Sequence, residues 1–149
     1  MDIDRPPASH SGQPAALIAA DVGGTHARIA LIGPALNGHD GFSIPQYHKY
    51  ACADFPSLAA IIGEFRDRVA RVPVDRVALA IAGYVVDDAV VNVNLPWAVS
   101  ISGLRSALGV GDLAIVNDFE AVAHAIGHID AAGTVLLSGP AGAVQGPTL

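Results

Sequence analysis

Cysteine, charge and long apolar runs are all scarce in this chain. Cys52 is the only cysteine among 149 residues, so an internal disulfide is impossible and a reducing, cytoplasmic setting is expected. Charged residues make up only 15% of the chain and apolar residues 52%, which excludes an intrinsically disordered protein. No uninterrupted apolar stretch approaches the roughly 18 residues that suggest a membrane span.

Positive charge is scarce as well. Eight Lys and Arg stand against fourteen Asp and Glu, which gives a net charge of −6. Because no basic patch forms, nucleic acid is not expected as a partner. Residues 1–14 are polar and Pro-rich and lack the apolar core of a secretory signal, so they predict a flexible tail. Residues 15–149 suit one domain with a sizeable core.

The apolar periodicity predicts an α/β domain. In chain order the predicted elements are strands at 16–21, 27–33 and 46–51, a helix capped by Asp54 that continues over 58–69, a strand at 76–82, a hairpin at 85–94, a helix from Ser100 to Gly109, a strand at 112–116, a helix after Asp118 and a short strand at 134–138. This order predicts a mixed five-stranded sheet, with three meandering strands followed by two parallel strands and helices on both faces.

The turn between the first two strands, residues 21–28, is here called the glycine turn and reads Asp-Val-Gly-Gly-Thr-His-Ala-Arg. It is neither a P-loop, which needs a Lys and a following helix, nor the dinucleotide fingerprint, which also opens a helix. Glycines tolerate positive φ and let a phosphate approach the backbone closely, so a phosphate-binding β-hairpin is predicted. Asp21 either orients a hydrated metal or braces the turn. Arg28 either balances phosphate charge or pairs with a surface carboxylate.

Two later segments offer groups for catalysis and sugar binding. Asp118 follows an apolar strand and opens a helix. It is therefore either an N-cap or a general base that accepts a hydroxyl proton during phosphoryl transfer. Asn94 and Asn117 carry amides that either bind sugar hydroxyls or form turns. Since the ends of parallel strands gather at one edge of a sheet, the glycine turn, the segment after Gly83 and Asp118 are expected to converge on one cleft.

Other conspicuous side chains are expected to be structural. Trp97 is interpreted as a packing anchor. His124 and His128 have a helical spacing that can chelate a metal, but no third ligand is evident and solvated histidines are expected. Cys52 has no activating neighbour in the sequence, which argues against a nucleophile.

Four segments together resemble the bacterial glucokinase family, within the hexokinase/actin-like sugar kinases. They are LIAADVGGTHARIALI, LAIAGYV, NVNLPWAVSISGLRSALG and LAIVNDFEAVAHAI, in family order and with family-like spacing. The resemblance implies a ribonuclease H-like (actin-like ATPase) fold and ATP-dependent phosphorylation of the 6-hydroxyl of glucose, with Mg²⁺. It implies that Asp118 is the base that deprotonates this hydroxyl, and that Asn94, Asn117 and Asp118 bind the sugar.

The same resemblance assigns the glycine turn. It implies that Gly23, Gly24 and Thr25 face the ATP phosphates and that Asp21 orients Mg²⁺ through water. Two residues depart from the family pattern: His26 stands where Asn is usual, and Tyr84 where Pro commonly follows Ala-Gly.

The resemblance also implies a second lobe with further sugar ligands, a second phosphate loop and the adenosine pocket. Residues 15–149 are therefore predicted to be an N-terminal lobe, inactive alone, of an enzyme that forms a homodimer. A non-catalytic sugar-sensing module and an actin-like ATPase are the alternatives. Asp21 and Asp118 favour a kinase over a sensor, and Asn94 with Trp97 favours a sugar substrate.

Overall fold

A computed structural model of the protein describes residues 16–35, 41–91 and 94–129. The predicted tail at 1–14 and the predicted strand at 134–138 lie outside these ranges. The elements are β1 (Ala16–Val22), β2 (His26–Pro34), β3 (Phe42–Ala51), a 3-10 turn (Cys52–Asp54), α1 (Leu58–Glu64) continued by a π-helical segment (Phe65–Ala70), β4 (Val74–Ile81), β5 (Tyr84–Val86), β6 (Ala89–Val91), β7 (Val99–Ser100), α2 (Ile101–Leu108), β8 (Asp112–Asn117) and α3 (Asp118–Ile126). No helix in these ranges is long and apolar enough to cross a bilayer.

The main sheet has five strands in the order β3-β2-β1-β4-β8. β1, β2 and β3 form an antiparallel meander, and β4 and β8 extend it as parallel strands. The predicted mixed sheet is therefore confirmed. Parallel pairing with β4 and β8 also brings the carboxyl ends of β1, β4 and β8 together at one edge.

One face of this sheet, here called the first face, carries the hydrophobic core. Residues paired in register point to the same face of a sheet, and the paired side chains on this face are large and aliphatic. Together with side chains from α1, the π-helical segment and α2 they form one buried cluster, which includes Ile18, Val22, Ile29, Leu79, Ile81, Leu58, Ile61, Phe65, Leu104 and Leu108.

The opposite, second face carries small side chains at its centre, namely Ala19, Ala30, Ala78, Ala80 and Ala114. α3 lies over the end of this face and borders a cavity there together with Ala80. Helices thus lie on both faces, as predicted. No residue of α3 is buried, however, and its apolar side chains Phe119, Val122 and Ile126 are exposed rather than sealed into a core.

The helix caps confirm one prediction and correct another. The predicted Asp54 cap is wrong, because Asp54 ends the 3-10 turn and Ser57 is the N-cap of α1. The Ser57 hydroxyl accepts a hydrogen bond from the Ala60 N–H at 3.1 Å. Ser100 caps α2 and Gly109 ends it in the left-handed region with φ of 63°, both as predicted.

A second, small sheet holds the start of α2. β5 and β6 form the predicted hairpin, and β7, which the sequence analysis did not predict, pairs with β6. The Asp88 carboxylate accepts hydrogen bonds from the Ser100 and Ser102 hydroxyls, both at 2.6 Å, and from the Ser102 N–H at 2.8 Å. These bonds, with that from Ser100 foremost, hold the pKa of Asp88 below its usual value. The hairpin is thereby tied to the N-terminus of α2.

Candidate active site

Three strand ends meet at one edge of the main sheet, as predicted. Val22 of β1 pairs with Ile81 of β4, which pairs with Asn117 of β8. The Asn117 side-chain amide donates a hydrogen bond to the Gly83 carbonyl oxygen at 2.7 Å. This bond ties the end of β8 to the segment that follows β4. One edge of the main sheet therefore holds the glycine turn, the Gly83 segment and the start of α3.

Asp118 is the first residue of α3, but it is not the N-cap. The cap is Asn117, whose side-chain oxygen accepts from the Phe119 N–H at 2.9 Å. One oxygen of the Asp118 carboxylate also accepts from this N–H, at 3.0 Å. Because Asn117 already caps the helix, α3 does not depend on Asp118 for its first-turn hydrogen bond. This arrangement lets the Asp118 carboxylate serve another purpose.

Asp118 and Asp21 line the same cavity. It measures about 400 Å³ and is otherwise lined by Ala80 and by residues of α3. Asp21 also accepts a hydrogen bond from the Arg28 guanidinium at 2.8 Å, and both side chains are about half exposed. Of the alternatives for Arg28, the structure thus shows a carboxylate partner, Asp21. Two aspartates that line one cavity offer carboxylates of the kind that can accept a hydroxyl proton and hold a hydrated cation.

The glycine turn is held by a hydrogen bond between two of its own residues and by another from Cys52. The Gly23 N–H donates to the His26 carbonyl oxygen at 3.0 Å, and the Cys52 N–H donates to the Thr25 carbonyl oxygen at 2.9 Å. The His26 ring nitrogen Nδ1 lies 3.0 Å from the Thr25 hydroxyl. His26, which stands where the family usually has Asn, therefore places an imidazole directly against the Thr25 hydroxyl that is predicted to contact phosphate.

Positive φ does not explain the two glycines of this turn. Among the described residues, glycines with positive φ are Gly41, Gly83 and Gly109, so Gly23 and Gly24 are outside the left-handed region. The reason for glycine at position 24 is proximity instead: a Cβ built there would lie 2.7 Å from both Cβ and the carbonyl oxygen of Asn94. The predicted sugar residue Asn94 is thus packed against the predicted phosphate turn.

Cys52 is a supporting residue that the sequence analysis did not identify. It is fully buried beneath the glycine turn, and its thiol lies 3.5 Å from the Gly23 carbonyl oxygen as a donor. Burial raises the pKa of this thiol, which fits the prediction that it is not a nucleophile. An apolar position just after the third strand was the available signal, but sequence alone did not connect it to the turn.

Trp97, His124 and Tyr84 do not line the cavity of Asp21 and Asp118. Trp97 packs against the core and donates its indole N–H to the Phe55 carbonyl oxygen at 3.1 Å, which confirms the packing interpretation. The His124 side chain is exposed, and the described ranges contain no group of three metal-ligating side chains. Tyr84 is exposed and borders a smaller cavity of about 280 Å³ with Asn117 and Glu120.

A sequence profile described as Glucokinase matches residues 18–149. The chain belongs to the glucokinase family. It is 39% identical over 133 residues to a glucokinase-like protein of Xylella fastidiosa strain 9a5c, covering 89% of this chain and 39% of that protein. It is 37% identical over 117 residues to the glucokinase of Paramagnetospirillum magneticum, covering 76% of this chain and 34% of the relative. The chain thus spans about two fifths or less of the length of these relatives.

Solved structures agree with this family assignment. The crystal structure of a glucokinase from an Antarctic psychrotroph matches with a TM-score of 0.72 and 33% identity, over 80% of this chain and 37% of that one. A glucokinase from Leishmania braziliensis matches with a TM-score of 0.58 and 21% identity, over 76% of this chain and 32% of that one, and so supports the fold alone. The predicted actin-like ATPase fold of sugar kinases is confirmed.

Proposed function

We propose that this chain forms the part of an ATP-dependent glucose kinase that supplies the catalytic base, sugar contacts and one phosphate-binding turn. The observation that carries the proposal is the shared cavity of Asp118 and Asp21 at the converging strand ends. Family membership supports glucose and ATP as the substrates. The relatives extend well beyond the length of this chain, and that additional length is proposed to complete both pockets. A cytoplasmic setting and a homodimer remain predictions from the sequence.

In the proposed reaction Asp118 accepts the proton of the glucose 6-hydroxyl. The hydroxyl oxygen of glucose attacks the terminal phosphorus of ATP at the same time. The new O–P bond replaces the bond to ADP, which leaves with that electron pair. Asn94 and Asn117 orient the sugar through their amides. Gly23, Gly24 and Thr25 of the glycine turn face the phosphates of ATP. Because catalysis of this kind is mainly positioning and charge stabilisation, the placement of the base relative to the sugar hydroxyl is what the site must supply.

The oxygen donors at this edge fit Mg²⁺ in the manner usual for nucleotide enzymes. Mg²⁺ prefers oxygen ligands and is commonly held by one or two carboxylates together with substrate phosphates and water. Asp21 would hold it through water, next to the phosphates at the glycine turn. When bound, Mg²⁺ neutralises the charge that develops on the phosphates. The ion pair with Arg28 keeps the Asp21 carboxylate in position.

A fusion enzyme tests the catalytic assignment. This chain is joined to the remaining C-terminal length of the Paramagnetospirillum magneticum glucokinase, and glucose 6-phosphate formation is measured. Asp118→Asn should lower kcat by about 100-fold to 10,000-fold, the usual contribution of a general base. Glucose binding, measured by calorimetry, should persist because the substituted amide keeps a hydrogen-bonding oxygen.

The matched control is Asp112→Asn. Asp112 lies at the opposite end of β8 and contacts Arg76 at 3.4 Å, so this change should leave turnover unaltered. Turnover of Asp118→Asn at the unmodified rate would remove Asp118 as the base. A folded, unsubstituted fusion that binds glucose and forms no product would contradict the kinase proposal and favour the sugar-sensing alternative.

A further inference from the structure

We propose that Gly24 is a positioning residue for the sugar side of the site, in addition to facing phosphate. Its lack of a side chain sets where Asn94 lies. The inference rests on the proposed function for the role of Asn94 in sugar binding. Its steric part depends only on the contacts of this chain.

Position 24 lies against the backbone of Asn94 as well as its side chain. A Cβ on Gly24 would lie 2.7 Å from the Asn94 Cβ, 2.7 Å from its carbonyl oxygen and 3.3 Å from its carbonyl carbon. Two of these three atoms belong to the backbone, so rotation of the Asn94 side chain cannot relieve the overlap. Any side chain at position 24 must displace the backbone of the segment that carries Asn94.

The glycine turn and the Asn94 segment are both hydrogen-bonded to residues 52–55. Cys52 holds the turn from below, through hydrogen bonds to the carbonyl oxygens of Thr25 and Gly23. Three residues after Asn94, Trp97 donates to the carbonyl oxygen of Phe55. The Phe55 N–H in turn donates to the Cys52 carbonyl oxygen at 3.3 Å. Residues 52–55 therefore fix both sides, and the Asn94 segment cannot move away as a unit without losing the Trp97 hydrogen bond.

The neighbouring glycine, Gly23, lacks such a contact. A Cβ on Gly23 would meet a single atom within 4 Å, the His26 carbonyl oxygen at 3.7 Å, which is an ordinary contact distance. Neither glycine has positive φ, so alanine brings no backbone strain of that kind at either position. The two adjacent positions thus differ in one respect, which is contact with Asn94.

The experiment compares Gly24→Ala with Gly23→Ala in this chain by NMR. The resonances observed are the Asn94 side-chain amide and the Trp97 indole N–H, and glucose is the titrant. Gly24→Ala should shift both resonances and weaken glucose affinity by about tenfold, the loss expected for roughly one hydrogen bond. Gly23→Ala should leave both resonances in place.

Each outcome has a separate meaning. Unshifted Asn94 and Trp97 resonances in Gly24→Ala would overturn the inference, whatever happens to glucose. Shifted resonances with unchanged glucose affinity would also overturn it, because the sugar side would not depend on this position. If the unsubstituted fusion enzyme described above, in which both pockets are complete, shows no response to glucose, the sugar role assigned to Asn94 under the proposed function fails, while the resonances still decide the steric contact.

A second variant keeps the inference testable if Gly24→Ala folds poorly. Asn94→Gly removes one of the overlapping atoms and frees the local backbone, so Gly24→Ala should lower Tm less in that background than in the native sequence. An equal loss of Tm in the two backgrounds would show that Asn94 does not limit position 24, and would reject the inference.

Discussion

The two faces of the main sheet differ in how they are covered and in what they carry. The first face presents large aliphatic side chains to α1, the π-helical segment and α2, and its central residues are fully buried. The second face presents alanine at its centre, and α3 lies over its end without burying any of its own residues. Asp21 and Asp118 border a cavity on this thinly covered side. The stability of the described domain therefore comes mainly from one face, while the proposed chemistry lies at the edge of the other.

This division has a physical reason. Buried aliphatic and aromatic side chains stabilise a fold roughly in proportion to the apolar area they remove from water, and alanine removes little. An open face in turn leaves space next to the carboxylates for a substrate. Substitutions on the two faces should therefore separate loss of folding from loss of activity.

The largest expected difference in stability is between variants of two phenylalanines, one on each face of the sheet. Phe65 is 0% exposed in the core of the first face, whereas Phe119 on α3 is 81% exposed. Phe65→Ala should lower the free energy of unfolding by about 3–5 kcal/mol, because it leaves a cavity among close-packed side chains. Phe119→Ala should change it by no more than about 0.5 kcal/mol. Urea denaturation of both variants measures the difference, and comparable losses would show that the second face is as tightly packed as the first.

A smaller effect concerns the helix caps on the two faces. In α1 the Ser57 hydroxyl accepts from the Ala60 N–H, so Ser57→Ala should destabilise by about 1 kcal/mol. In α3 the Phe119 N–H has two acceptors, on Asn117 and Asp118. Asp118→Asn should therefore change stability by less than Ser57→Ala, as measured by thermal denaturation. The reverse order would mean that Asp118 is mainly a cap, and that lost turnover in this variant reflects folding.

The N-terminus of α1 shows which features the sequence predicts and which it does not. The five strands of the main sheet follow from short apolar runs and were predicted, although the third begins at Phe42 rather than at residue 46. Asp54 was predicted as the cap because Asp is a good capping residue ahead of Pro56, but the chain forms a 3-10 turn there and the helix begins at Leu58. Asp54→Ala should accordingly leave stability nearly unchanged, which makes it the control for Ser57→Ala.

Contacts between distant segments were beyond sequence reasoning for a different reason. Local residue patterns identified the glycine turn and the Asn94 segment separately. The packing of Gly24 against Asn94 depends on how the fold brings these two segments together. β7 is only two residues long, too short for an alternating pattern to appear. Residue types therefore pointed to the candidate site, whereas the support beneath it, such as Cys52, required the fold.

The smallest expected effect is a pH dependence on the first-face side, at the start of α2. Hydrogen bonds from Ser100 and Ser102 hold the pKa of the Asp88 carboxyl below its ordinary value of 3.8. A lowered pKa in the folded state means that the ionised carboxylate stabilises the fold above this ordinary value, and that the stabilisation is lost as the pH falls through the lowered pKa. Asp88→Asn should reduce Tm at pH 7 and flatten the decline of Tm below about pH 4. Parallel Tm profiles for the variant and the native chain would show that Asp88 contributes no pH-dependent support to α2.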